Sequence, residues 1–197
     1  MSNFEPQFAL TLPSGGRLQV AKIAQIAPLS DDSAHLATAG SEKRARERAA
    51  WHALARTMLA DHDAEFEYNA IGAPQIIDSQ LYISVSHSAT HVAVLISPCP
   101  CAVDIESCDR NFDRIASRYI APSEALLHGQ KKLLQQQLWS IKETAYKYAA
   151  RKGLNLRDEI TVTKLTENQF VATVKPSPSR IVGTITQVEN HTLAFIG

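Results

Sequence analysis

The stretch KKLLQQQLWSIKETAYKYAAR, residues 131–151, decides the fold. It reads as one long helix ending near Gly153, where a left-handed residue would cap it. Strand patterns at 159–165, 169–174, 181–188 and 192–196 follow it. Upstream lie helical patterns at 111–119 and 122–128, the second with Pro122 at a favourable first-turn position. Before them, residues 101–106 form a strand that opens apolar and ends acidic. The first half has the same ingredients. Strands at 7–12 and 17–25 flank the turn Pro13-Ser14-Gly15-Gly16. Ser41 with Glu42 opens a helix to about residue 59, its apolar positions Trp51, Leu54, Met58 and Leu59 at helical spacing. A short strand at 65–69, a turn at Gly72-Ala73-Pro74, and strands at 81–86 and 91–97 complete that half. The expected class is α+β: two similar lobes, residues 1–98 and 99–197, each a long helix on a small, mostly antiparallel sheet. No convincing sequence repeat relates them. No long flexible linker separates them, so a shared interface is expected, where binding sites commonly form.

The totals agree with this plan. A chain of 197 residues fits one domain or two closely packed ones, and can bury a core without disulfides or metals. Hydrophobic residues at 45% and charged residues at 20% describe an ordinary globular protein. The opening Met1-Ser2-Asn3-Phe4-Glu5-Pro6 lacks the basic flank and apolar run of a signal peptide. No apolar segment approaches the ~20 residues of a membrane span, so no membrane association is expected. Cys99, Cys101 and Cys108 cannot all pair, and reduced thiols in the cytoplasm are the simpler reading. Zero net charge gives no bulk attraction to nucleic acid. The distribution is uneven, however. Residues 1–98 carry seven Lys and Arg against ten Asp and Glu; residues 99–197 carry thirteen against ten. Two basic clusters stand out: Lys43, Arg44, Arg46 and Arg48, then Lys142, Lys147, Arg151 and Lys152. Each can be a solvated helix face; together they can hold a polyanion or face an acidic protein.

Three constellations carry chemistry. On a strand, Asp104 and Glu106 point to one face with Cα atoms ~6.6 Å apart. Two carboxylates so placed can converge on one hard cation, and Mg²⁺ typically takes one or two carboxylates plus substrate phosphates. The plain alternative is a strand end with two solvated acids. On the long helix, Trp139, Glu143 and Lys147 form one stripe, with Lys142 and Tyr146 beside it. A surface Glu143–Lys147 pair is one explanation; a third carboxylate and a phosphate contact are the other. Third, Ser84-Val85-Ser86-His87-Ser88 places a histidine among serines. The G-x-S-x-G elbow of a hydrolase is absent, and a strand-end Ser and His can donate hydrogen bonds to phosphate. His87, His91, Cys99 and Cys101 match no familiar zinc spacing.

These pieces resemble, in order and approximate spacing, the phosphopantetheinyl transferase superfamily, in its longer single-chain, surfactin-synthetase-activating branch. The resemblance covers roughly residues 41–165 and rests on SVSHS (84–88), AVDIES (102–107), RYIAPSEA (118–125) and WSIKETAYKYAARKGL (139–154). It implies a pseudo-dimer of two α+β lobes, expected to be a monomeric chain, with coenzyme A between the lobes. It implies Mg²⁺ on Asp104, Glu106 and Glu143, with Glu143 also the base for a serine hydroxyl. Lys147 would neutralise the pyrophosphate, Lys142 would support it or touch substrate, and Ser86 and His87 would meet coenzyme A phosphates. Arg46 and Arg48 are further coenzyme A candidates. The implied reaction moves 4′-phosphopantetheine from coenzyme A to a serine of an acyl or peptidyl carrier protein, releasing 3′,5′-ADP.

Two positions depart from the pattern. Relatives commonly carry Gly-Lys-Pro where this chain has Gly72-Ala73-Pro74, and often an arginine where His52 falls, which Arg46, Arg48 or Arg56 would have to replace. Two other readings therefore stand beside the transferase: a non-catalytic adaptor binding coenzyme A or a carrier protein, and another Mg²⁺-dependent phosphotransferase using the same acids.

Overall fold

The computed structural model describes residues 5–26, 42–127, 131–176 and 180–197. Ser41 and residue 128, which the sequence reading included in helical segments, lie outside these. The chain divides into two compact units, Met1–Pro100 and Cys101–Gly197, against the expected division after residue 98. Both mix helix with antiparallel sheet. Among the described residues, no helix is long and apolar enough to cross a membrane.

In the first unit, β1 (Phe8–Thr11) and β2 (Arg17–Lys22) precede the long helix α1 (Glu42–Leu59). Then come β3 (Phe66–Tyr68), β4 (Pro74–Ile76), β5 (Tyr82–His87) and β6 (His91–Ser97). The main sheet runs β1-β2-β6-β5, antiparallel throughout, and β3 and β4 pair as a separate hairpin. Strand β2 stops at Lys22 because β6 begins opposite it at His91; Ile23–Gln25 then turns as a short 3-10 segment rather than continuing the strand expected to residue 25. From α1, Ala50, Trp51, Leu54 and Met58 pack with Ala21, Val92, Val94 and Ile96 of the sheet. Pro74, expected only as a turn, opens β4.

The second unit opens on β7 (Ala102–Ser107), followed by the single turn α2 (Ala116–Tyr119) and a 3-10 turn at Pro122–Leu126. The long helix α3 (Lys131–Ala149) precedes β8 (Ile160–Leu165), β9 (Gln169–Val174), β10 (Arg180–Val188) and β11 (His191–Ile196). The five-stranded sheet runs β7-β11-β10-β9-β8, again antiparallel. Leu134, Leu138, Ile141 and Ala145 follow a helical stripe of α3 and share a core with Ile160, Phe170, Ile185, Ala194 and Ile196.

The helical pattern at 111–119 survives only from Ala116. The Asp113 N–H donates to Asn111 Oδ1 at 2.9 Å, a side-chain turn that competes with helical bonding. Helix α3 ends earlier than the expected residue 151. The left-handed residue next to its end is Ala150, φ 48°; Gly153, φ 82°, serves the following turn.

Both units share a strand order. In each, the strand preceding the long helix pairs with the last strand, which pairs on its other side with the penultimate one: β2-β6-β5 and β7-β11-β10. Each last strand begins on a buried histidine, His91 or His191.

Candidate functional site

Strand β7 alternates. Val103 and Ile105 point to one face, Asp104 and Glu106 to the other, and α3 lies over the acidic face. The stripe Gln136, Trp139, Glu143 and Lys147 runs along that helix at spacings of three and four. Lys147 Nζ lies 2.9 Å from Asp104 Oδ1 and donates to the Val103 carbonyl at 2.9 Å. Trp139 Nε1 donates to Glu106 Oε1 at 2.8 Å, and Gln136 Nε2 reaches the Glu106 carbonyl at 3.3 Å. Thus the helix stripe and strand face predicted separately meet.

Asp104 is buried, at 4% exposure, while Glu106 and Glu143 are partly open. Burial pushes the Glu143 carboxyl up to about 7; the Asp104 charge adds to the rise, and Lys147 opposes it. Glu106 also rises, through burial and then the Asp104 charge, against the hydrogen bonds of Arg110 and Trp139. The Asp104 charge acts on both Glu106 and Glu143, so a nearby cation lowers the energy of their ionised forms.

That cationic charge comes at present from side chains. Lys147 holds Asp104, and Arg110 Nη1 makes a close ion pair with Glu106 Oε1. Among the described residues, no three His, Cys, Asp or Glu side chains are drawn together as a metal-holding group. The donor types nevertheless fit a hard divalent cation: carboxylate oxygens from two adjoining elements, with Glu106 and Glu143 both held above their ordinary values.

Lys142 requires a correction. It was expected at coenzyme A or substrate, but its side chain is 0% exposed. Its Nζ lies 2.8 Å from Glu124 Oε2 and donates to the carbonyls of Leu156 at 2.8 Å and Ile160 at 2.7 Å. All three donors are used inside the unit, so it cannot reach a ligand in this arrangement. Glu124 also accepts from the backbone N–H groups of Ala121 and Val162, each at 2.7 Å. The pair ties the 3-10 turn, α3 and β8 together. Burial pulls the Lys142 ammonium below its ordinary value, with Glu124 pushing back.

The remaining candidates lie in the first unit. Ser86 is buried near the end of β5, and His87 follows it, exposed. His87 Nδ1 sits 3.5 Å from Glu47 Oε1 of α1, which also faces Lys43 at 3.7 Å. Arg46 is exposed on α1; Arg48 is half-buried, its guanidinium 5.8 Å from the Tyr68 ring centre. His52 packs against Trp51 and Phe66, with ring centres 4.0 and 5.0 Å away.

Sequence reasoning missed Arg110, Gln136 and Glu124. Gln136 lies on the Trp139–Glu143 stripe, three residues earlier, and helical spacing alone would have found it. Arg110 requires a chain reversal after β7. The sequence signal is Ser107-Cys108-Asp109: Ser107 Oγ accepts from the Asp109 N–H at 3.2 Å and the Ser107 carbonyl from the Arg110 N–H at 3.2 Å. Glu124 carries no signal of burial in its exposed-looking Pro-Ser-Glu context.

No protein-family model matches the chain, and no curated protein shows significant sequence similarity to it.

Proposed function

We propose that this chain is a 4′-phosphopantetheinyl transferase acting on an apo acyl or peptidyl carrier protein, with coenzyme A as co-substrate. The observation that carries the reading is the meeting of Asp104 and Glu106 on β7 with Glu143 and Lys147 on α3, as the resemblance requires. A bound Mg²⁺ would supply charge neutralisation at the coenzyme A diphosphate. Asp104, Glu106 and Glu143 are the residues that would hold it.

The protein's own groups account for the proton. Glu143, whose carboxyl is raised to about 7 in the metal-free chain, is the group that would accept the carrier serine proton, directly or through water. The serine oxygen then bonds to the β-phosphorus as the bond to 3′,5′-ADP breaks. Lys147, on turning from Asp104, would face the negative charge developing on that leaving group. Ser86, His87, Arg46 and Arg48 are the proposed coenzyme A contacts in the first unit, with Glu47 fixing the His87 ring. The shared strand order supports two like lobes; a monomeric, cytoplasmic chain is part of the proposal.

One observation favours the adaptor reading instead. Asp104 and Glu106 are already neutralised by Lys147 and Arg110, an arrangement that is self-sufficient without metal or turnover. Mass spectrometry of an apo carrier protein incubated with this chain, coenzyme A and Mg²⁺ separates the two. The transferase adds one phosphopantetheine mass to the carrier, and EDTA abolishes the gain. Coenzyme A binding without any mass gain across several carriers would replace it with the adaptor.

A further inference from the structure

We propose that Arg110 is a displaceable counter-ion of the acid cluster, seated on Glu106 without divalent metal and driven from that carboxylate when metal binds. The inference rests on the reading of Asp104, Glu106 and Glu143 as a cation site, and concerns a residue outside that set.

Three features make Arg110 a competitor that can move. First, the turn that brings it back over the end of β7 is independently anchored. Ser107 holds the backbone of Asp109 and Arg110, and Asn190 Nδ2 donates to Asp109 Oδ2 at 2.7 Å. The loop therefore persists when the Glu106 contact is lost. Second, the guanidinium has contacts that do not depend on Glu106: its carbon lies 4.8 Å from the Trp139 ring centre and 5.0 Å from that of Phe112, so it keeps a hold when the carboxylate is taken. Arginine favours such aromatic faces. Third, the side chain is 41% exposed, and its only hydrogen bond among the described residues is from Nη1 to Glu106. Its other donors can stay hydrated while it shifts. The fully buried Lys142, bound to three acceptors, has no such freedom.

Glu106 is arranged to change partners. Arg110 and Trp139 converge on Oε1, and Oε2 has no hydrogen bond among the described residues. A divalent ion on this carboxylate repels the adjacent guanidinium, whereas the neutral Trp139 N–H can stay. The apparent metal affinity is then the intrinsic affinity reduced by the cost of moving Arg110.

The test uses the full-length protein, titrated with MgCl₂ by calorimetry and by nitrogen-15 spectra of the indole N–H groups. Two tryptophans give two indole signals, assigned with Trp139→Phe. Mg²⁺ is expected to shift the Trp139 signal, because its acceptor atom loses Arg110, and to leave that of Trp51 in place. Arg110→Met keeps the stem on the two rings without the charge, and should tighten Mg²⁺ binding about fivefold. Arg110→Lys, still a competitor, should stay near wild type. If Glu106→Gln abolishes binding but Arg110→Met leaves it unchanged or weaker, the counter-ion proposal is wrong and the cation site stands. Binding indifferent to Glu106→Gln, or absent from both wild type and Arg110→Met, overturns both. A Trp139 signal unmoved at saturating Mg²⁺ overturns the counter-ion role without any Arg110 variant.

Discussion

At the scale of single residues, Glu143 governs two measurable properties. Its carboxyl is raised to about 7 in the folded chain, against an ordinary 4.5. Between those values the folded state keeps a proton that the unfolded state has released. The stabilisation is therefore complete below about pH 4.5 and is lost as pH climbs through about 7. The full effect is on the order of 3 kcal/mol. Melting temperatures of metal-free protein should fall between about pH 5 and about pH 8, and Glu143→Gln should flatten that slope. An equally steep slope in Glu143→Gln would remove Glu143 from the explanation. The same residue should matter for transfer. Asp104→Ala and Glu143→Ala are each expected to lower the rate about a hundredfold or more while circular dichroism stays native. Lys147→Ala should slow transfer with a smaller loss of metal affinity. Near-normal turnover in either folded acid variant would dismantle the site assignment.

At the scale of elements, α3 shows what periodicity conveys and what it omits. The stripe Trp139-Glu143-Lys147 was readable because spacings of three and four fix one face of any helix. Period two conveys equally well that the acids of β7 share a side, but that the two faces would meet was implied only by the family resemblance. The fate of Lys142 was not readable. A lysine one step off the stripe looks like a solvated cation until Glu124 arrives from the 3-10 turn, eighteen residues earlier, a pairing that only tertiary structure specifies. Arg110 stayed hidden for a related reason: a strand reading carries residue 110 away from Glu106, and a turn returns it. Two stability predictions belong here. Lys142→Met leaves Glu124 charged and buried, so chemical denaturation should show a loss of about 3–5 kcal/mol; a loss under about 1 kcal/mol would mean the pair is dispensable. Ala150 occupies the left-handed region after α3. Ala150→Gly relieves that strain and should raise stability by up to about 1 kcal/mol, read as an increased denaturation midpoint.

At the scale of the whole molecule, the two units share a strand order but not a chemistry. The register pairs His191 with Ser107 and His91 with Lys22. Counting back from those pairs, Glu106 corresponds to Ala21 and Asp104 to Gln19. The second unit alone carries carboxylates at these positions. The pattern was faint in sequence because only HVAVLI (91–96) and HTLAFI (191–196) retain it, and an apolar strand resembles any other. Charge is divided as well. The first unit holds three more acidic than basic side chains, and the second three more basic than acidic, so net neutrality conceals a bipolar sequence. A carrier protein of acidic surface should engage the basic unit, and long-range attraction of that kind is screened over ~8–10 Å at physiological salt. Raising sodium chloride from about 50 to about 300 mM should therefore raise the KM for an acidic carrier several-fold, while kcat changes little. The KM for coenzyme A, measured at saturating carrier, gives the contrast, because contacts at short range are less screened than attraction across a Debye length. A carrier KM indifferent to salt would place recognition on apolar contacts instead, and the charge division would then have no part in choosing the partner.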